Sequence, residues 1–342
     1  MVEQGLEFHN VDHLEQVPGM NGLLLERFPA HLRENLGIPE NKNGRFQVRR
    51  SHGCEIRFVT NAPYFDFCVT AVETNVTAMV YYGDMAYSQY TLEAGVCTRI
   101  HVTYPEMYRQ VDTELISRGR FAPYIWRIQF GLGGSIYFHY LDTFGHDRRP
   151  PTAEEKPAIL WAAYGSSITC GSVAALYSNS YIEQAALHLG YDVMNKGLSG
   201  SCLCEEKVAD YLASLQVDVL SVELGVNMLL FFEEDEFRRR VQYLLRKVKE
   251  SSVAKNIYVM DIFYNRAPVL LDHENIQYRH YEPFRKIVKN LVQETADHRI
   301  ISVDANAIAA DATYLSVDLL HPSDQGHIRM GWNLAEWIRK HG

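Results

Sequence analysis

The spacing of apolar residues changes period partway along the chain, and that change commits it to two differently built halves. From about 45 to 142, short aromatic and β-branched runs ("FQVRR", "CEIRFV", "YFDFCVTAV", "VTAMVYY", "YSQYTL", "TRIHVTY", "IWRIQF", "IYFHYLD") follow one another with turn residues between them and no helical repeat. Strands spaced this closely pair antiparallel, which predicts a β-sandwich, jelly-roll-like in type. Gly83-Asp84 and Gly133-Gly134 each separate two such runs and suit tight hairpins. The tyrosines of "MVYYGDMAYSQY" (Tyr81, Tyr82, Tyr87, Tyr90) could stack on sugar rings, but cross-strand aromatic pairing is the commoner use of such residues and is preferred.

The stretch "FGHDRRPPTAEEKP", residues 144–157, is charged and proline-rich and reads as a linker. It sets a first domain at 1–150 and a second at 158–342, as the chain's 342 residues would suggest. Past it, strand signals ("AILWAAYG", "DVMNKG", "VDVLSVELG", "NIYVMDIF", "RIISVDA") alternate with helical ones. Ser180 and Glu183 form a capping box ahead of Ile182, Ala185, Ala186 and Leu189, and Gly190 stops that helix. Further helices are expected over 234–252, around Phe284, Ile287, Val288, Leu291 and Val292, and over 323–340. Parallel strands need crossovers, so this alternation predicts an α/β domain with helices on both faces of a parallel sheet. Ligands of such sheets collect at the carboxyl ends of the strands.

With 47% hydrophobic and 22% charged residues, the composition is that of a globular protein. A net charge of -9 repels phosphate backbones, so nucleic acid is not an expected partner. The basic run "FRRRVQYLLRKVK" aligns Phe237, Val241, Leu244, Leu245 and Val248 in one stripe and reads as a helix with a solvated cationic face. The opening "MVEQGLEFHNVDHLEQ" has neither a basic leader nor an apolar core, and no later run is long enough to cross a bilayer. A soluble, cytoplasmic protein with no membrane partner is expected. The six cysteines lack the paired spacings of a zinc site, and Cys170, Cys202 and Cys204 read as packing residues. His9 and His13 stand at helical ligand spacing without an evident third ligand, so no metal and no cofactor is assigned.

In "LWAAYGSSITCGS", residues 160–172, Ser167 lies just past the end of the first parallel strand. Alone, Gly-Ser-Ser is what any βα turn can carry. Three further stretches at successive strand ends change the reading. "NKGLSGS" contributes Asn195, Gly197, Ser199, Gly200 and Ser201, and glycine lets a backbone N–H approach a reacting oxygen closely. "VELGVNM" ends the third strand with Gly225 and Asn227, whose amide can donate into the same cleft. "VDLLHPSDQGH" sets Asp318 three residues before His321, close enough for the carboxylate to hold one ring nitrogen while the other faces Ser167. A serine hydroxyl needs a base to take its proton as it attacks an ester carbonyl, and the oxyanion that forms needs donors already in place. The Ser167 N–H, the Gly200 N–H and the Asn227 side chain would supply them.

This ordered set, Ser167, Gly200, Asn227 and His321 with Asp318 ahead of the histidine, resembles the SGNH hydrolases, also called the GDSL esterase family, over about 158–342. The resemblance implies a flavodoxin-like, three-layer α/β/α domain that cleaves esters through an acyl-enzyme. It assigns Ser167, Asp318 and His321 to catalysis and Ser167, Gly200 and Asn227 to the oxyanion hole. With its β-rich front half, the chain is also similar in layout to the family 2 carbohydrate esterases, which remove acetyl groups from sugars. It departs from the family at Ser166, where aspartate is usual, and at Met228, which follows the oxyanion asparagine where aspartate is frequent.

An α/β-hydrolase elbow would want glycine where Thr169 stands, and its acid and base usually come from separate loops, whereas Asp318 and His321 are near neighbours. The expected function is hydrolysis of a short acyl ester, acetyl above all, on a carbohydrate or other small polar compound. Two alternatives stay open: a carbohydrate-binding protein that has lost catalysis, with Ser166 as its trace, and a sugar O-acyltransferase using the same acyl-enzyme.

Overall fold

A computed structural model of the chain describes residues 1–116, 119–251 and 254–342. Its contacts group into two units whose segments interleave. The first comprises Met1–Ala30, Arg49–Ala158 and Gly190–Met194; the second comprises His31–Val48, Ile159–Leu189 and Asn195–Gly342.

The first unit is a pair of antiparallel sheets. One runs laterally in the order Val2–Glu3, Leu6–His9, Glu55–Thr60, Trp126–Phe130, Val76–Tyr82, Met85–Leu92, with Arg148–Arg149 also pairing onto Glu55–Thr60. The other runs His13–Glu15, Leu23–Glu26, Ser135–Asp142, Tyr64–Val72, Cys97–Thr103. Alternation along Tyr64–Val72 sends Phe65, Phe67, Val69 and Ala71 into a core shared with Ile56, Phe58, Val80, Trp126 and Ile128. Tyr82 packs its ring 4.5 Å from Trp126, and Tyr87 lies 5.4 Å from the same indole. Tyr81 and Tyr82 are buried, and Tyr90 packs against the core. Tyr82, Tyr87 and Tyr90 are sandwich packing, whereas Tyr81 lies against the Arg127 guanidinium, 5.0 Å from its ring centre.

Three expectations need correction. The run at 46–50 is not a strand: Gly44–Gln47 is a short helix, and it belongs to the second unit. Gly133-Gly134 does not close a hairpin, because Trp126–Phe130 and Ser135–Asp142 lie in different sheets. Glycine is needed there for a close approach instead, since a Cβ on Gly134 would run into the Val72 carbonyl oxygen. His9 and His13 lie on strands, so their helical spacing is not realised.

One face of the first sheet carries a buried ionic cluster. Arg57 reaches Asp192 through two parallel hydrogen bonds of 2.7 and 2.8 Å and Glu55 at 2.7 Å, while Arg127 donates to Glu55 at 2.7 and 3.0 Å. All four side chains are buried. Such charges persist out of water only when paired this closely, because removing one partner strands the other. Burial would raise the Glu55 and Asp192 carboxyls, but the neighbouring guanidinium groups overcome it, holding Glu55 well below the usual range and Asp192 at about 2.

Leu160–Tyr164, Val219–Glu223, Asn256–Met260 and Ile300–Val303 of the second unit lie, in that order, in a parallel sheet that begins with Asp192–Asn195, the 2-1-3-4-5 order of flavodoxin-like folds. The crossovers are helical: Tyr181–Leu189, Glu206–Ser214, which the sequence reading did not anticipate, Glu234–Glu250 and Ile276–Thr295. Asp324–His341 closes the chain. The stripe Phe237, Val241, Leu244, Leu245 and Val248 is the buried face of its helix; residue 252, included in the expected helix, lies outside the described residues. No helix among the described residues is long and apolar enough to cross a membrane.

Because the Asp192 carboxyl is held at about 2 against an ordinary value of 3.8, the stability it adds is present above about pH 4 and is lost as pH falls toward 2. Asp192→Asn is expected to destabilise the protein by roughly 3–5 kcal/mol at neutral pH, since it leaves Arg57 without its bidentate partner. Urea unfolding from pH 7 down to pH 3 measures both effects. Unchanged stability at neutral pH would contradict them.

Candidate active site

The strand Leu160–Tyr164 delivers the chain into the turn Gly165-Ser166-Ser167 and then into the one-turn helix Ser167–Cys170. Ser166 is extended, with its hydroxyl accepting from the Ile168 N–H, so it serves as the N-cap that starts this helix. Ser167 is 6% exposed. Its Oγ lies 2.8 Å from the Nε2 of His321.

His321 sits on a loop folded around Asp318. The Oδ1 of Asp318 accepts from the Leu320 and His321 N–H groups and from the Ser316 hydroxyl, at 2.9, 2.9 and 2.8 Å. Its Oδ2 accepts from the His321 Nδ1 at 2.6 Å. Although partial desolvation pushes the Asp318 carboxyl up, these four donors outweigh it and hold it well below the usual carboxylate range. An ionised carboxylate can only accept, so Nδ1 carries the ring proton and Nε2 is left to accept from the Ser167 hydroxyl. The three residues therefore form one continuous line of hydrogen bonds from alcohol to carboxylate, the geometry that lets a serine lose its proton as it attacks.

The remaining expected residues lie on the neighbouring strand-end loops. Gly200 has φ +64°, a conformation that favours glycine. Asn227 accepts on Oδ1 from the Cys202 N–H at 3.1 Å, which ties its amide to the loop carrying Gly200 and directs its Nδ2 donor elsewhere. Asn195 donates to the Thr169 carbonyl at 2.9 Å and accepts from the Gly197 N–H at 2.8 Å, joining the helix that begins at Ser167 to the glycine loop. Met228 is fully buried behind Asn227.

Two functional neighbours were not singled out from the sequence. Glu223, the last residue of the third parallel strand, is fully buried, and its Oε2 accepts from the Ser166 N–H at 2.7 Å and the Thr169 hydroxyl at 3.2 Å. Burial pushes this carboxyl up, against the pull of those donors. Gly165 makes room for it, since a Cβ there would clash with the Thr169 Oγ1 and stand 2.7 Å from the Glu223 Oε2. A carboxyl group thus braces the turn that carries Ser167, supplied by the third strand instead of the position held by Ser166. A charged residue inside the otherwise apolar "VLSVELG" was the available signal. His327 is buried, its Nε2 2.9 Å from the Ser172 carbonyl oxygen, and burial lowers it to about 4, so it is a neutral donor securing the segment behind Ser167.

Cys170, Cys202 and Cys204 are buried free thiols. Among the described residues, His13, Glu15 and Glu26 of the first unit set ligand-type atoms within 4.8 Å of one another, and the Arg49 Nε stands 3.4 Å from Glu26.

Residues 155–339 match the sequence profile of the GDSL-like Lipase/Acylhydrolase family. No curated protein sequence matches the chain. Among solved structures, it is similar to a salicylyl-acyltransferase from a tetracycline biosynthetic pathway, at 15% identity and a TM-score of 0.80 over 99% of this chain and 95% of that one. It is also similar to a family two carbohydrate esterase from Clostridium thermocellum in complex with cellohexaose, at 13% identity and a TM-score of 0.64 over 85% and 93% of the two chains. A third likeness is to a carbohydrate esterase family 2 enzyme from Corynascus thermopiles, at 14% identity and a TM-score of 0.65 over 90% and 98%. At these identities the likeness is one of fold.

Removing the buried carboxyl with Glu223→Leu leaves the Ser166 N–H and the Thr169 hydroxyl each short of an acceptor. This is expected to lower unfolding stability by about 1–3 kcal/mol, with Glu223→Gln, which can still accept from both, lowering it less. Urea unfolding of the three proteins checks the order. Equal stability of all three would show that the turn is not held by this residue.

Proposed function

Because the chain belongs to the GDSL-like lipase/acylhydrolase family, we propose that it is a serine esterase that hydrolyses short-chain acyl esters, acetyl above all, of a carbohydrate or small polar compound. The observation that carries this reading is the line of hydrogen bonds from Ser167 Oγ through the His321 ring to Asp318. In the first half-reaction His321 Nε2 takes the Ser167 proton as Oγ bonds to the ester carbonyl carbon. The Gly200 N–H, the Ser167 N–H and the Asn227 amide receive the charge on oxygen. His321 then returns the proton to the departing alkoxide, the C–O bond breaks, and an acyl-Ser167 remains. Water, deprotonated by the same ring, reverses the sequence and releases the acid. Asp318, held low by its donors, stays ionised and keeps the proton on Nδ1 throughout.

The family's usual apparatus is complete in residue type despite Ser166, since Glu223 supplies the carboxylate beneath the turn. We read the first unit as an accompanying β-sandwich domain and the second as the catalytic one. A second reading, transfer of the acyl group to a sugar hydroxyl instead of water, is favoured by the likeness of the whole chain to an acyltransferase, and the acyl-enzyme serves both outcomes. Product analysis with an acceptor sugar present separates them.

Wild type is expected to hydrolyse p-nitrophenyl acetate, and Ser167→Ala to lose at least about 10³-fold of that activity while keeping its unfolding midpoint. Equal residual activity in the two would instead favour a binding protein. Across a series of nitrophenyl esters, kcat/KM should peak at two to four acyl carbons (an estimate of about one short chain's reach), and a peak at about eight carbons or beyond would defeat the short-acyl assignment.

A further inference from the structure

The segment His31–Val48 groups with the parallel-sheet unit although it precedes the family-matched region at 155–339. Two of its side chains end on the glycine loop. Asn43 Nδ2 donates to the Ser199 carbonyl at 2.8 Å, and Asn41 Nδ2 donates to the Gly200 carbonyl at 2.8 Å. We propose that Asn41 and Asn43 are positioning residues for the oxyanion donor at Gly200. This rests on the esterase reading above and extends it to a part of the chain that the family resemblance does not reach.

The reason is peptide planarity. The Ser199 carbonyl and the Gly200 N–H belong to one trans peptide, so they point in opposite directions and cannot turn independently. By holding the carbonyl, Asn43 aims the N–H the other way. Gly200, at φ +64°, is a hinge that resists rotation only weakly by itself, so an external grip on its flanking peptides has something to do. Asn41 grips the following peptide by its carbonyl, and that peptide's own N–H, on Ser201, donates to Leu198 O at 3.0 Å. Both planes that meet at Gly200 are therefore pinned. A hydrogen bond accepted by the Ser199 carbonyl also polarises its peptide and strengthens the Gly200 N–H as a donor.

The grip is itself anchored. The Asn43 N–H donates to Asn41 Oδ1 at 3.0 Å, so the two amides are set relative to each other. Asn43 Oδ1 accepts from Gln47 Nε2 at 3.4 Å, which leaves the amide's nitrogen end for Ser199. Past the glycine loop, the Gly37 N–H donates to Glu205 Oε1 at 3.0 Å, a second attachment of the same segment. A water molecule could satisfy either carbonyl, but it could not hold its direction.

The test uses Asn43→Asp and, separately, Asn41→Asp in the full chain, since each replaces the donating amide by a carboxylate of nearly the same shape that cannot donate to a carbonyl. Steady-state hydrolysis of p-nitrophenyl acetate, the affinity of an alkyl boronic acid that forms a tetrahedral adduct on serine, and the urea unfolding midpoint are measured for each. The expected result is a fall in kcat of about 10- to 100-fold with KM within about twofold of wild type, a matching loss of boronic-acid affinity, and a midpoint close to that of wild type. An unchanged kcat in both variants overturns the inference. So does a kcat loss accompanied by a lowered midpoint and an undiminished boronic-acid affinity, which is the signature of a merely structural role. Wild type with no turnover would overturn the esterase reading and this inference together, whereas turnover in wild type equalled by both variants overturns this inference alone.

Discussion

A single hydrogen bond of 2.8 Å, from Ser167 to the ring of His321, joins residues 154 positions apart and is the contact toward which the second unit is organised. It can form only because a parallel sheet ends all its strands at one edge, so that the turn after the first strand and the loop after the last emerge on the same side. The last helix contributes to that closure. Ser323 caps its first turn, and the Asp324 carboxylate accepts from the Ala175 N–H at 2.8 Å and from Asn179 at 3.0 Å, drawing the segment after Ser167 toward the loop that carries His321.

Beneath the turn, the chain accepts an energetic penalty for order. A buried carboxyl is unfavourable where an oxygen goes unpaired, as Glu223 Oε1 does, and the two donors that hold its Oε2 both come from the four-residue stretch that presents Ser167. Tyr181 extends this network from the adjoining helix, its hydroxyl 2.8 Å from Thr169 Oγ1. The serine is thus presented by a turn whose backbone and side chains are fixed from below, which is what a site needs if its reacting atoms are to stay within a few tenths of an ångström of a productive arrangement.

Long periodic segments were legible from sequence because their patterns reflect burial on one face. The runs at 64–72 and 76–82 are strands with those same ends, and the helix expected ahead of Gly190 lies at Tyr181–Leu189, although the capping box does not form, since the buried Ser180 hydroxyl makes no hydrogen bond. Strands of two to four residues, such as Val2–Glu3, Leu6–His9 and His13–Glu15, are too short for a period to show and were missed. Gly44–Gln47 is a helix despite β-prone neighbours because tertiary placement within the second unit overrides local propensity over four residues. Ser167, His321 and Asp318, which the fold joins by hydrogen bonds, could be picked out together because the chemistry expected of them demands residue types in a known order. Glu223, Asn41 and Asn43 were not, since each acts through contacts with residues 54 or more positions away on which local spacing is silent.

The most direct measurement of the central claim is covalent labelling of the intact protein by a fluorophosphonate probe, followed by peptide mapping of the modified residue. The probe reacts with a serine only where a base removes its proton and donors receive the developing charge. Stoichiometric modification on Ser167 is expected, suppressed when His321 is replaced by alanine. Labelling on another serine, or none at Ser167 in folded protein, would contradict it.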